Sequence, residues 1–279
     1  MASGPDFRHV PDQKSTLVRL RFRLLGPLQV FVGERPYPPP VARQRTVLAL
    51  ALLDPRWFVA RRKLVAELWE HTVPPSAAAN LRNSMSTLRR WLTGAIGLSL
   101  DDTASPLTAV DEGWALSLPP GVLVETDVAE FDSWLATARR HLARSDHDGA
   151  VMPLEQALQR YHGTPFQGIP LGPVLAARAA DLNLRWKAAV EEYATVLLRL
   201  GAYEQAWHVL LDFLRQHPER ERAWDRLMRA QYGMGDAVAA LQTYQRARQV
   251  LAERFGIEPG PELVNTHRAV LRRTLDTVP

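Results

Sequence analysis

The chain has 279 residues, is 46% hydrophobic, and carries 34 Lys and Arg against 30 Asp and Glu, with no cysteine. That length furnishes two cores of ordinary size, and the lack of cysteine excludes a disulfide framework, Cys-ligated zinc and iron–sulfur clusters. No stretch approaches a membrane-spanning apolar run, and the polar Met1 to Lys14 lacks the apolar core of a signal peptide, so a soluble cytoplasmic protein without a membrane partner is expected.

Residues 1–18 read as a flexible N-terminal extension. From Leu20 to Val32 apolar and basic residues alternate, Gly26-Pro27 turns the chain, and apolar residues follow; this pattern predicts short strands joined by turns. Val41 to Leu53 reads as a helix with Val47, Leu48, Ala51 and Leu52 on one face. A second helix is predicted from about Arg61 to Glu70, burying Leu64, Val65 and Leu68. Pro74-Pro75 stops it. A third begins near Ser76 and runs to about Thr93.

On a helical wheel, Leu81, Met85, Leu88 and Leu92 of that third helix form one narrow stripe. Asn83, Ser86, Thr87 and Arg90 lie opposite, with Arg82 and Arg89 on a flank. Arg and Asn can make bidentate contacts to guanine and adenine edges, and Ser and Thr reach phosphates or bases. Leu107 to Val110 and Trp114 to Leu118, around Asp111-Glu112-Gly113, then read as a hairpin. Strands, three helices and a hairpin in this order make a winged helix-turn-helix (α+β) over residues 19–120. The third helix is the one free to enter a major groove.

Charge follows the same division. Residues 1–120 hold fifteen basic and ten acidic side chains, whereas 121–279 hold nineteen and twenty. A basic module beside a neutral one fits polyanion binding, although charge alone leaves open an ordinary solvated basic face. Arg43, Arg45, Arg61, Arg62 and Lys63 are the candidate phosphate contacts; Arg82, Asn83, Ser86, Thr87, Arg89 and Arg90 are the candidate base-reading set.

Residues 121–279 predict an all-α, tetratricopeptide-like domain, which makes the whole chain mainly α. Two segments align at an offset of 34: Val190 with Trp224, Ala194 with Met228, Gly201 with Gly235, Ala206 with Ala240, Leu210 with Tyr244 and Phe213 with Ala247. Small residues at such positions let paired helices approach, and large ones fill the groove to the next pair. Trp134, Ala150, Leu154 and Ala157 mark a degenerate third copy. Tyr161 to Pro173 reads as an ordered loop. Asp127 is the expected N-cap of the first helix, with Glu130 three residues on. Trp134, Trp224 and Tyr244 are expected in the core.

These residues resemble the Streptomyces antibiotic regulatory protein family, which joins an OmpR-like winged helix to a bacterial transcriptional activation domain. The likeness rests on Leu25-Gly-Pro-Leu-Gln-Val30, Arg43-Gln-Arg45, Leu64 to Trp69, and Leu81 to Leu92. It continues through Gly113-Trp-Ala-Leu116, Tyr161-His-Gly-Thr-Pro165 and Ala240 to Leu263, the last holding Gly256-Ile-Glu-Pro-Gly-Pro261. The resemblance implies a nucleoid-associated activator of a secondary-metabolite (antibiotic) gene cluster. It implies binding to double-stranded promoter DNA at direct repeats, self-association on tandem repeats, and recruitment of RNA polymerase holoenzyme through its sigma factor. It does not extend to a basic wing tip, because Ala115 follows the aromatic and Asp111 and Glu112 precede it.

No Walker-type loop, G-x-G-x-x-G or G-x-S-x-G occurs, and the eight histidines are scattered, so no enzyme, cofactor or metal is expected. Two other readings remain: a tetratricopeptide adaptor whose basic N-terminal domain docks a protein, and an RNA-binding scaffold. The latter lacks the aromatic platform expected for single strands.

Overall fold

The computed structural model describes residues 18–54, 56–69, 72–97 and 105–277. The extension read over 1–18 lies, apart from Val18, outside them. The chain forms two compact units. One comprises residues up to Arg23 and Gln29–Thr126; the other comprises Leu24–Leu28 and Asp127 onward.

In the first unit, β1 (Val18–Arg23), β2 (Gln29–Val32) and β3 (Arg35–Tyr37) form an antiparallel meander, and β7 (Val122–Thr126) pairs in parallel with β1. The alternation in β1 is the pleat itself. Leu20 and Phe22 are fully buried, while Arg19 and Arg21 reach Glu125 across the outer face. Helices α1 (Ala42–Leu52), α2 (Arg61–Leu68) and α3 (Ala77–Ile96) follow, with β4 (Phe58–Ala60) between the first two. β4 pairs with β6 (Gly113–Leu116), which pairs with β5 (Leu107–Val110). The hairpin therefore belongs to a three-stranded sheet. β3, β4 and β7 were not expected from the sequence. In α2 Leu64 is fully buried, but Val65 and Leu68 are only half-buried.

The second unit is a stack of antiparallel helices: α4 (Asp127–Leu142), α5 (His147–Leu158), α6 (Pro173–Arg199), α7 (Tyr203–Gln216), α8 (Glu221–Gly233), α9 (Ala237–Phe255) and α10 (Pro261–Arg272). Ala150, Ala206 and Ala240 are each 0% exposed, at the small-residue position that lets the two helices of a pair close. Trp224 is buried and donates from Nε1 to the Pro218 carbonyl. Trp134 and Tyr244 depart from expectation and are only half-buried. Tyr244 instead stacks on His267.

The turn inside each repeat needs a left-handed residue. Gly201 and Gly235 supply it at φ +72° and +87°. Ser145, at φ +57°, holds the corresponding place between α4 and α5. A non-glycine residue pays in strain there.

Asp127 begins α4, but its carboxylate turns to another task. Its oxygens accept from the amides of Leu24, at 2.8 Å, and Leu25, at 2.9 Å. The loop after α5 completes the clasp: the amides of His162 and Phe166 donate to the carbonyls of Leu25 and Leu24, both at 2.7 Å. Phe166 and Ile169 are buried, so the loop is ordered. Two stretches far apart in sequence, Leu25-Gly-Pro and Tyr161 to Pro165, are thus one packed feature.

Ser145→Gly is expected to stabilise the protein by about 0.5–1 kcal/mol in chemical denaturation. Burial, more than the three amides offsetting it, pushes the Asp127 carboxyl up to about 6. The folded state thus holds its proton where the unfolded state has lost it. The contribution of Asp127 to stability is largest below about pH 4, falls as pH rises to about 6, and is flat above. Acidification from pH 7 to 4 should raise the stability of the native chain relative to Asp127→Asn by about 2 kcal/mol, read by urea denaturation at each pH.

Candidate nucleic-acid interface

The site is built on α3. Its apolar stripe lies in the core of the first unit: Leu81 and Met85 are 2% exposed, Leu88 1% and Leu92 0%. Burying four such side chains fixes the helix in rotation. Two further ties fix it along its length. Trp91 meets Tyr37 edge-on at 5.5 Å and donates from Nε1 to the Pro38 carbonyl at 2.9 Å. Arg89 donates from Nε to the Leu107 carbonyl at 3.1 Å. Gly97 ends the helix in the left-handed region at φ +72°.

With the stripe inward, Arg82, Asn83, Ser86 and Arg90 are exposed, and Thr87 is half-buried. Arg82, Asn83 and Ser86 have no side-chain hydrogen bond or ion pair among the described residues. Arg90 reaches only the Thr87 hydroxyl, at 3.5 Å. The set is therefore not uniform. Arg89 is exposed but tied to β5, so its first role is to fasten α3 to the hairpin.

Ala79 lies one turn before Asn83 on the same face and is exposed. The sequence reading left it out. Extending the wheel backward by one turn would have included it. Its short side chain leaves room for close approach of another surface.

The candidate phosphate contacts also divide. Arg61, Arg62 and Lys63 form the exposed first turn of α2. Arg61 lies over the Trp114 ring at 5.5 Å. Arg43 is exposed in the first turn of α1, over Trp69 at 5.6 Å. Arg45 is half-buried and donates from Nε to the Pro40 carbonyl at 2.7 Å, which makes it an anchor for the start of α1.

The helix starts show a contrast between the units. None of α1, α2 and α3 has a side-chain cap or an acidic residue in its first turn. In the helical unit α4, α5, α7, α8 and α10 carry first-turn carboxylates, and Asp236 caps α9. The positive end of the dipole favours an anion there, although the first amides of α2 and α3 are already taken, Arg61 by the Glu112 carbonyl and Ala77 by the Pro74 carbonyl. Three cations at the start of α2 oppose that dipole unless an anion lies between them.

The hairpin tip carries exposed Asp111 and Glu112, which repel an anionic surface. Among the described residues no group of three or more His, Asp or Glu side chains is placed to hold a metal ion. No helix among them is long and apolar enough to cross a membrane.

Structural and surface residues of α3 should separate by stability. Leu88→Ala is expected to destabilise the N-terminal unit by about 2–4 kcal/mol, whereas Asn83→Ala and Arg82→Ala stay within about 0.5 kcal/mol in urea denaturation.

Residues 126–271 match the family described as bacterial transcriptional activator domain. The chain is 30% identical to the transcriptional regulatory protein EmbR of Mycobacterium tuberculosis over 91% of its own length and 64% of that protein's; it therefore spans just under two thirds of that relative. The regulatory protein DnrI of Streptomyces peucetius is 27% identical over 91% of this chain and 92% of its own. The solved structure of M. tuberculosis EmbR in complex with a low-affinity phosphopeptide superposes with a TM-score of 0.81 at 29% identity, over 93% of this chain and 67% of that one. The chain belongs to the bacterial transcriptional activator domain family, and its mainly helical fold is that of the Streptomyces antibiotic regulatory protein type.

Proposed function

We propose that the protein is a sequence-specific DNA-binding transcriptional activator of a secondary-metabolite gene cluster, with no catalytic activity of its own. In this reading residues 19–120 bind double-stranded promoter DNA and 121–279 form the transcriptional activation domain. One observation carries it: the buried stripe of α3 leaves Arg82, Asn83, Ser86 and Arg90 outward and without strong partners. Their donors and acceptors suit base edges in a major groove. Ala79 and Thr87 border the same face. Arg89 holds the helix against the hairpin and adds charge at its flank. Arg43, Arg61, Arg62 and Lys63, with the dipoles of the helix starts, hold the phosphates; Arg45 supports the start of α1.

Binding at direct repeats near promoters, self-association there and recruitment of RNA polymerase through its sigma factor are carried from the family. The likeness to DnrI, a regulatory protein of Streptomyces peucetius, supports a regulatory role. The site of action is the nucleoid in the cytoplasm.

The test is gel shift and footprinting on the region upstream of the protein's own gene neighbourhood. Arg90→Ala and Asn83→Ala should each weaken specific binding by about 1–3 kcal/mol and relax base preference. Arg62→Ala and Lys63→Ala should weaken all sequences alike and flatten the salt dependence by about one ion each. A flat salt response, or protein capture without DNA retention, would favour the adaptor reading.

A further inference from the structure

The helical unit contains a cavity of about 560 Å³ whose walls come from the turn between α4 and α5, from α6 and from α8. Arg226 of α8 lines it. Its Nε donates to the Thr195 hydroxyl at 2.6 Å, and one terminal nitrogen donates to the Arg222 carbonyl at 3.0 Å. It forms no ion pair with any described carboxylate. That is unusual in this unit, where the partly buried Arg160, Arg185, Arg220 and Arg229 each pair with one.

The nearby carboxylates are engaged elsewhere. Both oxygens of Glu191 accept from Arg220, at 2.7 and 2.9 Å. Asp225 accepts from Arg229 and Thr266. Glu192 is the remaining carboxylate on the wall, and it is half-exposed. Arg222, exposed at the cavity's edge, has a guanidinium without a partner among the described residues. Burial pushes the Arg226 guanidinium down from its ordinary range. Glu191, Asp225 and Glu262 act on Arg226 through space, but none pairs with it directly, and its second terminal nitrogen has no partner among the described residues.

Leu142, Ala188 and Val196 are the apolar part of the wall, which also carries Ser145, His147, Thr195 and Arg199. The volume falls in the range of small-molecule sites. Arg199, Arg222 and Arg226 outnumber Glu191 and Glu192 on the wall, and forked N–H donors suit the oxygens of a phosphate monoester. We propose that this cavity binds a small phosphate monoester, with the phosphate on Arg226 and Arg222 and an apolar body on Leu142, Ala188 and Val196. Such a ligand would make the helical unit a metabolite-responsive element. This proposal is independent of DNA binding.

The probe is phenyl phosphate, titrated calorimetrically into the full chain at constant ionic strength, with inorganic phosphate in a parallel arm. One site per chain is expected, with phenyl phosphate binding more tightly than phosphate. Arg226→Gln and Arg222→Ala should each weaken it about tenfold or more. Arg215→Ala, in an exposed pair elsewhere, should leave it unchanged. Circular dichroism checks folding; Arg222 is exposed, so Arg222→Ala decides the matter if Arg226→Gln unfolds. Absence of saturable binding would overturn the proposal. So would equal binding of both probes, which marks an adventitious anion only. Binding retained in Arg222→Ala but lost in Arg62→Ala would also overturn it, because the anion would then sit on the N-terminal unit.

Discussion

The rotation of α3 is the constraint on which the candidate interface depends. Leu81, Met85, Leu88 and Leu92 cannot leave the core of the N-terminal unit without exposing a large apolar area. Their burial decides which side chains face outward. Were the helix turned by half a revolution, Asn83 and Arg90 would be buried without partners, and each would carry a desolvation penalty. Packing and presentation are therefore the same event. The ties from Trp91 to Pro38 and from Arg89 to Leu107 then set the helix against β3 and β5, so that the face is held on a rigid scaffold.

Charge at the helix starts extends this argument. The helical unit satisfies most of its starts internally with carboxylates. The first three helices of the chain do not, and α2 places three cations where a dipole would disfavour them. Local stability is given up at α2 in a pattern that a polyanion would compensate. The acidic hairpin tip runs against this trend, so the attraction is concentrated on the helices rather than spread over the unit.

How much of this was legible in the sequence depended on the range of the interactions. The α3 stripe repeats every three to four residues over several turns, and period alone located it. The alanines and glycines of the helical repeats were visible at a fixed offset. β3 and β4 have three residues each, too few to show alternation, and β7 is defined by its distant partner β1. Asp127 looked like a helix cap because caps are local, yet its carboxylate serves Leu24 and Leu25, about a hundred residues away. Arg45 and Arg89 looked like free cations for the same reason: a carbonyl partner leaves no mark in composition. The missing ion pair of Arg226 shows only beside Arg160, Arg185, Arg220 and Arg229, each of which has a carboxylate.

The most direct measurement is photo-cross-linking from position 83. A photo-activatable side chain installed there, in the full chain bound to a promoter fragment, should attach to bases within the protected repeat. Cross-links from position 83 to protein alone, with DNA attaching through the helical unit instead, would contradict the account.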